Sequence, residues 1–263
     1  PRRSTARFFM FAQLFRRRTS PASPTGSPSP ATRGYAVCTL PRSGSNVFCD
    51  LLGSTGSLGR PREYFNGAAR RTYDDPTYPD DPQAQIGRIL TMGATPNGIY
   101  ALKVFPGLHD LVAPHLRWME VLPNLSFIRF RRGDVLGQAV SWVRANQTQQ
   151  FRSSDPRKGE PSYDADAIGL RLRQICQRNA RWDMFFARTG LPALDVTYED
   201  FLADPSREVG RVAAFIGITE WGRVDLDGSN FRRQRDESSA AWCDRFRAER
   251  GDPNQIDPFL DPA

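Results

Sequence analysis

The sequence predicts an α/β fold in which a parallel sheet is flanked by helices and a ligand lies in the crevice at the carboxyl ends of the strands. Three observations carry this prediction. The chain repeats the order strand, loop, helix at least three times, two of the loops are built to hold anions, and 263 residues can bury the core of one such domain.

The first unit is YAVCTLPRSGSNVFCDLL. Residues 35–39 form an apolar, β-branched run of strand length, and from Val47 the apolar positions Val47, Phe48, Leu51 and Leu52 follow a helix face. The turn between them contains Arg42, Ser43, Gly44, Ser45 and Asn46, with Ser45 or Asn46 as the expected helix N-cap. A small-residue loop that delivers a strand onto a helix N-terminus aims several backbone N–H groups and the positive end of the helix dipole at one place, and an anion satisfies them. An ordinary strand-turn-helix with an exposed Arg fits the spacing equally well. The triphosphate-binding pattern GxxxxGK[ST] is absent, and Arg42 is the loop's one fixed cation.

Gly56 suits the end of the first helix, after which Gly59-Arg60-Pro61-Arg62 leads irregularly to Glu63-Tyr64-Phe65. A helix over residues 45–55 rises ~16 Å, so the following loop must fold back if Glu63 is to reach the anion loop. Residues 66–98 read as surface loop with one short helix near residues 83–91. Residues 98–105 (GIYALKVF) form a second strand that carries Lys103, one of two lysines in the chain. A lysine in an apolar strand must reach either water or an anion.

Residues 125–131 alternate as a strand and end in Arg131-Arg132-Gly133-Asp134, followed by a helical pattern over residues 135–149 that includes Ser141. Guanidinium geometry suits a terminal phosphate. Residues 164–189 form a long helix whose apolar positions Ile168, Leu172, Ile175, Trp182, Phe185 and Phe186 pack inward. A strand over residues 194–196 then leads through TYEDFLADP into another amphipathic helix, and the tail ends in a helix that Ser238 or Ser239 can cap.

The formal charge of +7 is unevenly placed. Residues 1–49 hold eight Arg and no acidic residue, whereas the remaining 214 residues hold 28 basic and 29 acidic side chains. The body is close to neutral, which argues against a nucleic-acid partner. Four cysteines without a CxxC or a nearby His pair predict no metal site and buried free thiols in a reducing cytoplasm. No run reaches the ~18 apolar residues of a membrane span. Residues 1–34 read as a basic, Pro/Ser-rich leader or linker without a part in catalysis; its composition also fits an organelle transit peptide. Residues 35–250 read as the catalytic domain and 251–263 as a tail.

The stretch CTLPRSGSNVFCDLLGSTGSLGRPREYF resembles the start of the bacterial trehalose 2-sulfotransferase family, with Asn46 where that family usually has Thr. QAVSWVRANQT and the R-Q-x-D-x-x-S-x-x-W element at Arg233, Gln234, Asp236, Ser239 and Trp242 extend the resemblance to about residues 35–250. It implies a single sulfotransferase domain with a P-loop-like sheet, using 3′-phosphoadenosine 5′-phosphosulfate as co-substrate and no metal. It further implies Glu63 as general base and Lys103 at the sulfuryl group or bridging oxygen. Residues Arg42 to Asn46 are expected at the 5′-phosphosulfate, Arg132 (or Arg131) with Ser141 at the 3′-phosphate, and Arg233 as a further donor contact. The implied acceptor is a carbohydrate or glycolipid hydroxyl. Two other classes stay open: a non-catalytic nucleotide- or sugar-binding relic, separable by turnover, and a P-loop-like nucleotide kinase, which needs the missing loop Lys. A homodimer is left open as well.

Overall fold

The computed structural model describes residues 30–152, 155–226 and 237–257. Its centre is a four-stranded, wholly parallel sheet built from β1 (Arg33–Cys38), β2 (Ile99–Val104), β3 (Leu125–Arg131) and β4 (Ala193–Thr197), in the order β2-β1-β3-β4. From β1 the chain crosses first to one side, to β2, and then to the other, to β3. The loops leaving β1 and β3 therefore diverge at a topological switch point, where the carboxyl ends of parallel strands leave a crevice.

Alternation along β1 explains its central place. Tyr35 and Val37 point to one face and Ala36 and Cys38 to the other, and all four are fully buried. On the first face pack α1 (Ser45–Ser54), α8 (Tyr198–Ala203) and α9 (Pro205–Phe215), where Phe48 stacks on Phe130 with ring centroids 4.6 Å apart. The second face receives α3 (Pro82–Met92), α4 (Pro106–Val112), α5 (Trp118–Val121) and the end of α7 (Ala165–Thr189). There the Trp182 indole N–H donates to the Thr39 carbonyl at 3.2 Å. A third cluster joins α6 (Val135–Thr148), α7 and α10 (Glu237–Arg250).

Every expected strand and helix is present within a residue or two, and three expectations need correction. Neither Ser45 nor Asn46 caps α1: Gly44 does, at φ 90° and without a side-chain hydrogen bond, so both residues lie inside the first turn. Residues 66–98 are less irregular than expected, because α2 (Gly67–Tyr73) forms behind the Asn66 cap, whose side-chain oxygen accepts from the Ala69 N–H at 3.1 Å. Ser238 and Ser239 lie within α10, which begins at Glu237, and so do not cap it. Most of the leader, residues 1–29, and Arg233 lie outside the described residues.

Candidate functional site

A cleft of about 690 Å³ opens at the carboxyl ends of β1, β2 and β3. Its first wall is the loop after β1. Gly44 holds a positive φ, and a Cβ there would sit 2.3 Å from the Tyr198 ring, so only glycine lets the loop pass this close. Gly44, Ser45, Asn46 and Val47 all line the cleft at the start of α1. A helix N-terminus without a side-chain cap, facing a cleft, presents donors to an anion. Ser43 differs from its neighbours: it is 1% exposed and its hydroxyl pairs with Thr39 at 2.9 Å, so its side chain braces the loop from beneath.

Arg42 reaches across to α6, donating from Nε to Ser141 Oγ at 3.1 Å and from Nη1 to the Phe151 carbonyl at 2.6 Å. Burial works against its charge and the nearby Arg132 adds to that, so its guanidinium is held below its ordinary pKa. Arg132 leaves the end of β3, donates to Asp134 at 3.1 Å and lies 5.2 Å from the Tyr198 ring centroid. Its buried Nε has no hydrogen-bond partner. Two guanidiniums that repel each other, one with an orphaned donor, make this end of the cleft complementary to a multiply charged anion. Of the two adjacent arginines, Arg132 lines the cleft, whereas Arg131 is half exposed and reaches toward Asp195 at 3.9 Å.

The fold-back of Glu63 has a backbone explanation. Gly59, at φ 71°, passes so close to β2 that a Cβ would lie 2.7 Å from that of Ala101. Arg60 N–H then donates to the Gly93 carbonyl at 2.8 Å, and Lys103 N–H donates to the Arg62 carbonyl at 2.8 Å. Residues 59–63 are thus stitched along the outer edge of β2, which brings Glu63 beside Lys103.

Lys103 is 4% exposed, and its ammonium lies 2.9 Å from Glu63 Oε1 and 2.5 Å from Asn46 Oδ1. The other Glu63 oxygen accepts from Asn66 Nδ2 at 3.1 Å. Burial pushes the Glu63 carboxyl upward, but the Lys103 charge, hydrogen bonds from Lys103 and Asn66, and the Arg70 charge together outweigh it, leaving the pKa below the ordinary glutamate value. Glu63 is therefore ionised and can accept a proton. Arg62, pinned to Asp50 at 2.5 Å, and Arg70 of α2 complete this end of the cleft.

Of the expected site residues, Arg42, Gly44, Ser45, Asn46, Glu63, Lys103, Arg132 and Ser141 line one cleft. Sequence reasoning missed Asn66, Arg70, Tyr73, Arg152 and Tyr198, which line it too. Asn66 alone left a readable signal, as a cap residue before a short helical run. Among the described residues no group of three or more His, Cys, Asp or Glu is arranged to hold a metal ion.

A family model described as Stf0 sulphotransferase matches residues 34–249. The trehalose 2-sulfotransferase of Mycobacterium tuberculosis (strain ATCC 35801 / TMC 107 / Erdman) is 30% identical over 261 residues, covering 84% of this chain and 97% of that protein. The trehalose 2-sulfotransferase of Mycolicibacterium smegmatis is 27% identical over 258 residues, covering 82% and 94%. Among solved structures, the sulfotransferase domain from the curacin biosynthetic pathway aligns with a TM-score of 0.46 at 13% identity, covering 84% of this chain and 98% of that one.

Proposed function

The chain belongs to the Stf0 sulphotransferase family, and from that premise we propose that it moves a sulfuryl group from 3′-phosphoadenosine 5′-phosphosulfate to a hydroxyl of a carbohydrate or glycolipid. The observation that carries the reading is the Lys103 ammonium held between Glu63 and Asn46, because it sets an ionised carboxylate against the loop built for an anion.

The residues fit the donor. Arg42 and the uncapped start of α1 would hold the 5′-phosphosulfate, and Arg132, whose Nε is orphaned, would hold the 3′-phosphate together with Ser141. The donor supplies an activated sulfuryl group. Glu63 accepts the proton of the attacking hydroxyl, which raises that oxygen's nucleophilicity as the new O–S bond forms. Lys103 offers positive charge where the departing phosphate oxygen gains negative charge. Positioning and electrostatics carry most of the acceleration, as in phosphoryl transfer, and no metal ion is required.

The curated relatives' names give trehalose as an acceptor, which makes trehalose and its glycolipids the first acceptors to test. No described helix is long and apolar enough to cross a membrane. All four cysteines are free, which suits the reducing cytoplasm we assign as compartment.

The deciding experiment incubates the protein with the donor and a panel of sugars and glycolipids, and follows sulfated product by mass spectrometry beside donor-product binding by calorimetry. Transfer to a hydroxyl establishes the enzyme. Binding of 3′-phosphoadenosine 5′-phosphate without transfer to any acceptor establishes a binding relic instead.

A further inference from the structure

The charges lining the Glu63 end of the cleft are not fully accounted for by donor and base. Arg62 is pinned by Asp50 at 2.5 Å. Arg70 is 2% exposed and paired through Nη1 with Asp74, while its buried Nε has no hydrogen-bond partner. Arg152 is different again. Its guanidinium lies 3.6 Å from the centroid of the Tyr73 ring, and no carboxylate among the described residues forms an ion pair with it. The nearby Asp155 is engaged otherwise, accepting the backbone N–H groups of Phe151 at 3.1 Å and Arg152 at 2.7 Å and the Tyr73 hydroxyl at 3.3 Å.

A guanidinium stacked on an aromatic ring keeps its N–H donors available around its edge. Arg152 is therefore a preformed anion receptor. It stands at the Glu63 side of the cleft through α2: the Tyr73 ring it covers ends that helix, Arg70 lies one turn earlier, and the helix cap Asn66 donates to Glu63 at 3.1 Å. Arg70, close behind, gives the same place a second positive charge.

We propose that the acceptor is itself an anion, a sugar bearing a carboxylate, sulfate or phosphate ester next to the accepting hydroxyl, held by Arg152 on Tyr73 with Arg70 behind it. This inference rests on the sulfuryl-transfer reading and names the substrate class of that same site. The anionic group is not consumed: it orients the sugar so that a neutral hydroxyl meets Glu63.

The test uses matched acceptors that differ in charge alone, such as a glucoside against the glucuronide and trehalose against its 6-phosphate, assayed with the whole chain at fixed donor. The anionic member of a pair should show a kcat/KM about tenfold or more above the neutral one, the scale of one charge-assisted contact. Arg152→Ala should bring that ratio close to one and Arg152→Lys should restore part of it, with melting temperature and affinity for 3′-phosphoadenosine 5′-phosphate held within about threefold of the parent. Equal kcat/KM within every pair, or a preference for the neutral member, overturns the proposal while leaving the transferase reading intact. So does an Arg152→Ala variant that loses donor-product affinity, since Arg152 then serves the donor. Transfer to no member of any pair sinks both readings together.

Discussion

The Lys103 ammonium and the Glu63 carboxylate meet at 2.9 Å, the first on β2 and the second on the segment laid along that strand's edge. Burial alone would raise the Glu63 pKa, and Lys103 is the largest of the influences that bring it below the ordinary value. A carboxylate with a depressed folded-state pKa contributes stability above its unfolded pKa, and that contribution is lost as pH falls through the folded value. The same carboxylate sets the acid limb of kcat/KM if it is the base. Lys103→Met removes the main lowering influence and leaves burial in place. The acid limb should therefore move to higher pH, and, if Lys103 serves the departing oxygen as proposed, kcat should fall as well. A pH-rate profile in which the limb stays put would mean that Lys103 does not tune the group being titrated.

Gly44 is the point where the anion loop and α8 touch. Alanine there would hold a positive φ and press its Cβ into the Tyr198 ring, so Gly44→Ala should cost about 1–3 kcal/mol of stability. The melting temperature should drop by several degrees, and donor-product affinity should fall with it as the start of α1 shifts. Unchanged values for both would show that the loop adapts freely.

The sheet was legible because its signals are local. Apolar runs of strand length, each followed by a turn and a helix-period pattern, place β1, β2 and β3 and the helices behind them, and small residues before α1 mark the anion loop. What joins the two ends of the cleft was not legible. Arg152 reaches Tyr73, and Arg42 reaches Phe151, across separations of 79 and 109 residues, and no periodicity records such contacts. The α1 cap was misread for a different reason. Ser and Asn are the usual caps, but close packing against Tyr198 demands glycine one residue earlier.

Donor selectivity should run through Arg132. An arginine gripping a phosphate in a charge-assisted contact contributes ~1.5–3 kcal/mol, about 10- to 150-fold in affinity. Arg132→Ala should weaken 3′-phosphoadenosine 5′-phosphate by that factor in calorimetry and barely change the binding of adenosine 5′-phosphate. If both ligands weaken alike, Arg132 shapes the cleft rather than reading the 3′-phosphate.

A chain that begins at Pro30 should keep the melting temperature and turnover of the full sequence. Among the described residues the first backbone ties to the body come at Thr32, whose N–H donates to the Gly98 carbonyl at 3.2 Å and whose carbonyl accepts from Asn124 Nδ2 at 2.9 Å. Residues 1–29 carry an acid-free, Pro- and Ser-rich composition without a core-facing pattern after Thr19. A loss of several degrees on removing them would show that they pack on the domain.

Glu63 decides between an enzyme and a binding relic. A sugar hydroxyl is a poor nucleophile at neutral pH, so a positioned carboxylate that takes its proton contributes on the order of 10²–10⁴-fold to the rate. Glu63→Gln keeps the shape and a hydrogen-bonding oxygen for Lys103 but removes the base. On the proposed reading Arg42, Arg132 and the start of α1 grip the donor, so its affinity should stay within about threefold while kcat falls by that factor. Near-normal turnover with a true acceptor would exclude Glu63 as the base. Asp50 then becomes the nearest candidate, since it lines the same cleft even though Arg62 occupies one of its oxygens. His109 is a poor replacement, because its ring packs edge-on against Trp118 at 4.9 Å and does not line the cleft.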